Sequence, residues 1–138
     1  MQVRAESLMT LTLTPHTPTV PPTYTIDGDG YEVPTLTPGT PHAGKVQSRS
    51  GGLGAAGDTT ARYVEIGGTP RPVLSGGLHI PISAPVPLAG EQRNYGTEYV
   101  VTAVGSMDDP ALLGRRFLVV AVPVKSFATA RRLDVIEL

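Results

Sequence analysis

The sequence predicts an all-β fold, a small antiparallel β-barrel or sandwich with one or two short helices and a long Pro/Thr/Gly-rich extended arm. Three observations carry that reading. The last third holds three short runs rich in β-branched and aliphatic residues, Glu98-Tyr99-Val100-Val101-Thr102-Ala103-Val104, Arg116-Phe117-Leu118-Val119-Val120-Ala121-Val122 and Arg132-Leu133-Asp134-Val135-Ile136-Glu137-Leu138, each of strand length and composition. Over residues 74–88 the large aliphatic residues keep one parity. The composition, with Gly 16 and Pro 14 against five Tyr, two Phe and no Trp, favours strands with long connections over a helical bundle. The whole gives about six or seven strands.

Taken in order, Val3, Ser7 and Leu8 fall near one face of a short helical turn over residues 1–8. Met9-Thr10-Leu11-Thr12-Leu13-Thr14 then alternates apolar and hydroxyl residues, as a half-buried strand does. Residues 14–60 are dominated by Pro, Thr, Gly and Ser, too poor in large apolar groups to fold alone. This stretch reads as the arm, and residues 1–13 with 61–138 as one body. Within the arm, Tyr24-Thr25-Ile26 and Tyr31-Glu32-Val33 flank Asp27-Gly28-Asp29-Gly30, residues that tolerate the positive φ of a hairpin turn. Lys45-Val46-Gln47-Ser48 is a brief return to the body, and residues 50–58 form a mobile loop tip. Arg62-Tyr63-Val64-Glu65-Ile66 is the next strand, ended by Gly67-Gly68.

Leu74, Leu78, Ile80, Ile82, Ala84, Val86 and Leu88 share one parity, so on an extended chain they form one core face. Pro81, Pro85 and Pro87 have the other parity. Their missing N–H groups all fall on one edge, so this strand is expected to pair on one side only. The Arg116 run is apolar on both faces and should lie deepest, flanked by the other two terminal runs. Asp109-Pro110-Ala111-Leu112-Leu113-Gly114 has an N-cap, a proline at the first helical position and a terminating glycine, the pattern of one helical turn.

The chain has 138 residues and 40% hydrophobic content, enough for one core that buries roughly two-thirds of the unfolded chain's surface. A net charge of −1 with 17% charged residues lacks the basic excess of a protein that grips nucleic acid through phosphates. Without cysteine there are no thiolate metal sites or disulfides. No segment has the length of a membrane span, and Arg4 and Glu6 stand where a signal peptide needs an apolar core, so a soluble intracellular product is expected.

Asp27-Gly28-Asp29-Gly30-Tyr31-Glu32 has two alternating carboxylates like part of a calcium loop, but lacks a third acidic position, a terminal bidentate Glu at the proper distance and flanking helices. A hairpin turn explains it better. Gly51-Gly52-Leu53-Gly54-Ala55-Ala56-Gly57 ends in Asp58 rather than the Gly-Lys-Ser/Thr of a phosphate loop, and reads as a flexible loop. His16, His42 and His79 have no metal-like or catalytic neighbours in sequence, and His79, opposite the apolar parity, is expected to face solvent. Ser83 and Ser106 sit in no nucleophile elbow. No enzyme, cofactor or metal is expected. Arg115-Arg116 and Arg131-Arg132 are two basic pairs that could meet DNA phosphates, an acidic neighbouring subunit or only solvent at strand ends; with a net charge near zero, protein contacts or solvation are expected over a grip on DNA. The arm admits three readings: disorder, a linker, or a segment that orders on a neighbouring chain, with Tyr24, Ile26, Tyr31 and Val33 as its apolar handle.

Three strings, Leu78-His79-Ile80-Pro81-Ile82-Ser83-Ala84-Pro85-Val86-Pro87, Asp109-Pro110-Ala111-Leu112-Leu113-Gly114-Arg115-Arg116-Phe117 and Ala128-Thr129-Ala130-Arg131-Arg132-Leu133, together resemble the head-to-tail stopper (head-closure) proteins of long-tailed actinobacteriophages. The likeness covers residues 62–138, with a weaker echo in Ser7-Leu8-Met9-Thr10, and lends little to the arm. It implies a virion protein of the neck, made in the host cytoplasm. Roughly six or twelve copies would form a ring between the portal-bound adaptor and the tail terminator or tail tube. Genomic DNA would pass through the lumen without sequence-specific binding. The subunit interface would then draw on Tyr24, Ile26, Tyr31, Val33, Pro81, Pro85, Pro87, Arg115, Arg131 and Arg132. Two other readings are a tail terminator or other tube ring protein, and a monomeric β-barrel nucleic-acid-binding module.

Overall fold

The computed structural model describes residues 9–19, 21, 23–46, 62–66, 68–90, 96–123 and 130–138. The helical turn expected over residues 1–8 and the loop tip expected over 50–58 lie outside them. Eleven strands and one 3₁₀ turn are present among the described residues: β1 (Leu11–Pro18), β2 (Tyr24–Ile26), β3 (Glu32–Pro34), β4 (Leu36–Pro38), β5 (His42–Val46), β6 (Tyr63–Ile66), β7 (Thr69–Pro72), β8 (Leu74–Pro81), β9 (Glu98–Ala103), the turn Pro110–Leu112, β10 (Arg116–Ala121) and β11 (Ala130–Glu137). The fold is all-β.

The main sheet runs β4-β1-β5-β8-β11-β10-β9, and β9 pairs back onto β1. Every pairing is antiparallel, so β1, β5, β8, β11, β10 and β9 close into a barrel. The strand β4 lies outside that ring, beside the far end of β1. Register shifts mark β1 between Thr12 and Leu13, β10 between Val119 and Ala121, and β11 between Leu133 and Val135, the local bends that let six short strands curl shut. At the last of these, Asp134 Oδ1 accepts from Gly76 N at 2.9 Å, with Gly76 at φ +60°. That bond satisfies an amide which the irregular pairing removes from the ladder.

Alternation explains the core. Leu11, Leu13, Leu78, Ile80, Tyr99, Val101, Phe117, Val119, Leu133 and Val135 fill the barrel. Each large aliphatic side chain among them contributes about 1.5–3 kcal/mol through burial. Gly44 pairs with Leu11 in the ladder and lies against the Leu13 side chain, where a Cβ would come within 2.1 Å of Leu13 Cδ1. The small residue in β5 is thus what lets β1 push its leucine across the interior. The expectation for β10 holds: it lies between β9 and β11 and is buried on both faces. Its outer residues Leu118 and Val120 pack with Ile136 and with Val64 of the β6–β7 hairpin, which lies over the barrel wall there. The predicted turn is 3₁₀, with Asp109 Oδ1 accepting from Ala111 N at 2.9 Å.

Four expectations are corrected. The strand read over 74–88 ends at Pro81, where Ala84 N returns to Pro81 O at 3.0 Å in a turn, so Val86 and Leu88 are exposed rather than core. Nor is that strand an edge, because β8 pairs with β11 on one side and β5 on the other. Pro81 takes the last ladder position, and Pro85 and Pro87 lie beyond the strand. His79 is buried, not solvent-facing, and its Nε2 lies 3.0 Å from Gly76 O. Finally, the arm is shorter than residues 14–60. The strand β1 continues through Pro15 to Pro18, and β5 is a barrel stave.

Two predictions follow from this packing. Gly44→Ala should destabilise the protein by about 2 kcal/mol through overpacking against Leu13, read as a lower urea midpoint at constant slope. An unchanged midpoint would contradict the tight β1–β5 approach. Arg116 Nη2 lies 2.7 Å from Glu98 Oε2, and the Glu98 side chain is 1% exposed. Arg116→Ala should therefore cost about 2–3 kcal/mol by leaving a buried carboxylate poorly compensated, and adding Glu98→Gln should recover part of that loss in a double-mutant cycle.

Candidate interaction surface

Antiparallel order sorts the barrel into two ends. The upper end gathers the end of β1, the starts of β5, β9 and β11, and the end of β8. The lower end gathers the starts of β1, β8 and β10 and the ends of β5, β9 and β11. The segment from β2 to β3 leaves β1 at the upper end and returns there through β4.

This segment is a two-stranded ribbon. Tyr24 pairs with Pro34, Thr25 with Val33 and Ile26 with Glu32. Its turn is closed by Asp27, whose Oδ1 accepts from Asp29 N at 3.0 Å and Tyr31 N at 2.9 Å, followed by Gly30 at φ +87°. The carboxylate that resembled a calcium ligand is thus spent on the backbone, as an Asx-type turn requires. At the root, Thr35 N donates to Thr23 O at 2.9 Å and Thr19 N to Thr35 O at 3.2 Å, while the Thr19 and Thr23 hydroxyls lie 2.8 Å apart. Threonines therefore hold the ribbon to the barrel. Tyr24 and Ile26, two apart, share a face, and Val33 stands on the other face, half-buried. Ile26 is 72% exposed and Tyr31 71%, so the handle is three residues, Tyr24, Ile26 and Tyr31.

The other expected interface residues do not form one patch with it. Pro81 and Pro87 are buried, and Pro85 is exposed. The chain around Pro87 is tied to the wall by Leu88 N to Thr97 Oγ1 at 3.0 Å, Thr97 N to Leu88 O at 3.0 Å and Gly90 N to Val119 O at 3.1 Å. Arg115 lies at the lower end, 3.3 Å from Glu137. Arg132 is exposed on the outside of β11. Arg131, opposite Ile80 and in phase with buried Leu133, falls on the interior side at the upper end.

There Arg131 lies near Tyr99, and Tyr99 meets His42, a juxtaposition that sequence reasoning did not show. The rings of His42 and Tyr99 meet edge to face at 5.5 Å and 74°. Burial pushes the Tyr99 hydroxyl well above the usual phenol range, with the nearby Arg131 charge pulling the other way. His42 Nδ1 is 2.8 Å from Ala43 O. The His42 Nε2 and Arg131 Nε atoms are shut from solvent and have no hydrogen-bond partner among the described residues. This polar cluster caps the upper mouth of the apolar interior.

At the lower end, a half-open groove of about 290 Å³ is lined by Arg71, Pro72, Leu74, Glu137 and Leu138. Arg71 Nη1 donates to Glu137 O at 3.1 Å, and Arg71 has no carboxylate partner among the described residues. Nothing in the sequence signalled this groove, because it forms only where β7 crosses the end of β11. Among the described residues no three His, Asp or Glu side chains gather as metal ligands, and no helix is long and apolar enough to cross a membrane.

No curated protein and no solved structure matches the chain. A family model described as a family of unknown function, DUF6093, matches residues 1–136, nearly the whole length. The chain therefore belongs to the DUF6093 family.

Proposed function

We propose that this protein is a structural virion component of a tailed-phage neck, a head-to-tail stopper. Copies would form a ring between the portal or adaptor and the tail, help close the DNA channel and dock the tail. The role is one of assembly rather than catalysis. The observation that carries the reading is the β2–β3 ribbon: an exposed apolar handle held off a barrel whose own strands leave no open edge in the ring. A solitary two-stranded hairpin is marginal in water, and this one presents Tyr24, Ile26 and Tyr31 to solvent, as a segment that completes its burial on a neighbour does. The resemblance of the β8, β10 and β11 regions to stopper proteins supports the neck reading, and a net charge of −1 suits a lumen through which DNA slides.

A tail terminator would share the architecture and dock at the tube end, and the position of the ring in the particle separates the two. The described aromatics argue against a single-strand nucleic-acid module. Tyr24 and Tyr31 lie on one hairpin and Tyr63 on another, whereas Tyr99 and Phe117 are core residues, so no stacking platform spans one sheet face.

The test is excision of the ribbon alone, because residues 11–18 and 42–46 are in the barrel sheet. Replacing residues 23–34 by Gly-Gly in a phage encoding this chain should leave the barrel's melting temperature within a few degrees of the parent and yield filled heads without tails. Tailed, infectious particles from this deletion would refute the assembly role.

A further inference from the structure

We propose that the β2–β3 ribbon of one copy docks in the Arg71-lined groove at the lower end of a neighbouring copy. The inference rests on the assembly role proposed above and names the partner surface. Charge points the same way from both sides. The ribbon carries Asp27, Asp29 and Glu32, and no Lys or Arg occurs from residue 5 to residue 44. The groove wall carries Arg71, bonded among the described residues to a backbone carbonyl, while the Glu137 carboxylate beside it is engaged by Arg115. The acidic ribbon and the Arg71 guanidinium attract, and fix the register of docking more than its strength.

Shape agrees. At about 290 Å³ the groove sits at the bottom of the range for small-molecule sites, and suits one or two side chains. Its Pro72, Leu74 and Leu138 walls offer apolar cover for Tyr31 or Ile26. Topology excludes the same copy as the occupant: the ribbon leaves the upper end of the barrel, and the groove lies at the lower end. A contact that joins two different patches of one chain is heterologous, and heterologous contacts generate closed rings or open helices rather than isolated dimers.

The chain has no cysteine, so engineered thiols report unambiguously. Full-length Tyr31→Cys protein mixed with Pro72→Cys protein and a short bis-maleimide should give a heterodimer at about ten times the yield of a Tyr31→Cys and Ser83→Cys control mixture, since Ser83 is exposed at the upper end. One chain bearing both Tyr31→Cys and Pro72→Cys should give a ladder ending in a closed species. Arg71→Glu should lower the Tyr31–Pro72 yield about tenfold, and Glu32→Arg in the partner should restore it. Equal yields from the two mixtures, or Tyr31–Tyr31 products in their place, would overturn the proposal. The cysteine pair leaves Arg71 intact, so it decides the question even if the charge reversal unfolds the barrel. A clean heterodimer from a protein absent from the neck would sink the neck assignment and keep this contact. A neck protein with no heterodimer would do the reverse.

Discussion

The pairing of β9 with β1 is the constraint on which the rest of the structure depends. It returns the last free ladder of the sheet to its first strand, from Thr12 opposite Ala103 to His16 opposite Glu98. Open sheet edges present rows of unsatisfied amides and carbonyls that recruit other strands. Once closed, the barrel cannot associate by adding strands around its ring, and association must run through side chains and appendages. The same closure sets the interior radius, which is why Gly44 leaves room for the Leu13 side chain and why the remaining interior positions are filled by Leu, Ile, Val, Phe and Tyr.

The two hairpins that do not join the ring divide the labour. The β6–β7 hairpin lies on the outer wall, and its Val64 covers Leu118, Val120 and Ile136, so a strand apolar on both faces finds cover on both. The β2–β3 hairpin has no such wall. Its apolar residues remain in water, its acidic tip is ordered by its own backbone amides, and its root is pinned by threonines. One hairpin is spent on the fold, and the other presents Tyr24, Ile26 and Tyr31 to solvent. The groove beside Arg71 exists because the first of them runs past the end of β11 before feeding β8.

How much of this was legible in the sequence follows from the range of the interactions. The β10 strand, the Asp109 turn and the Asp27–Gly30 hairpin were legible because each depends on local pattern: a doubly apolar run, an N-cap with Pro and Gly, and an Asp-led turn with Gly30 at positive φ. The 74–88 strand was overextended because parity alone continues past Pro81, although a proline at the last ladder position followed by two more permits a turn just as well. The edge expectation failed for the same reason, since Leu78 and His79 carry pairing on both sides and neither is a proline. His79 has the outward parity that was read for it, but the bend at Gly76 brings a carbonyl over it. The β5 stave was barely visible because glycine at its centre lowers strand propensity, and only its non-local fit against Leu13 rewards that glycine. The cluster of His42, Tyr99 and Arg131 joins residues from three strands, a juxtaposition that barrel register creates and sequence spacing does not show.

The central claim is that this chain is a closed barrel that assembles through its ribbon and not through its sheet. Hydrogen exchange followed by mass spectrometry, on the free protein and on the assembled ring, tests it most directly. The account predicts slow exchange for β1 and β9 amides in both states and protection gained on assembly over residues 24–34. Fast exchange of β1 and β9 in the free protein, slowed only on assembly while residues 24–34 stay unchanged, would contradict it.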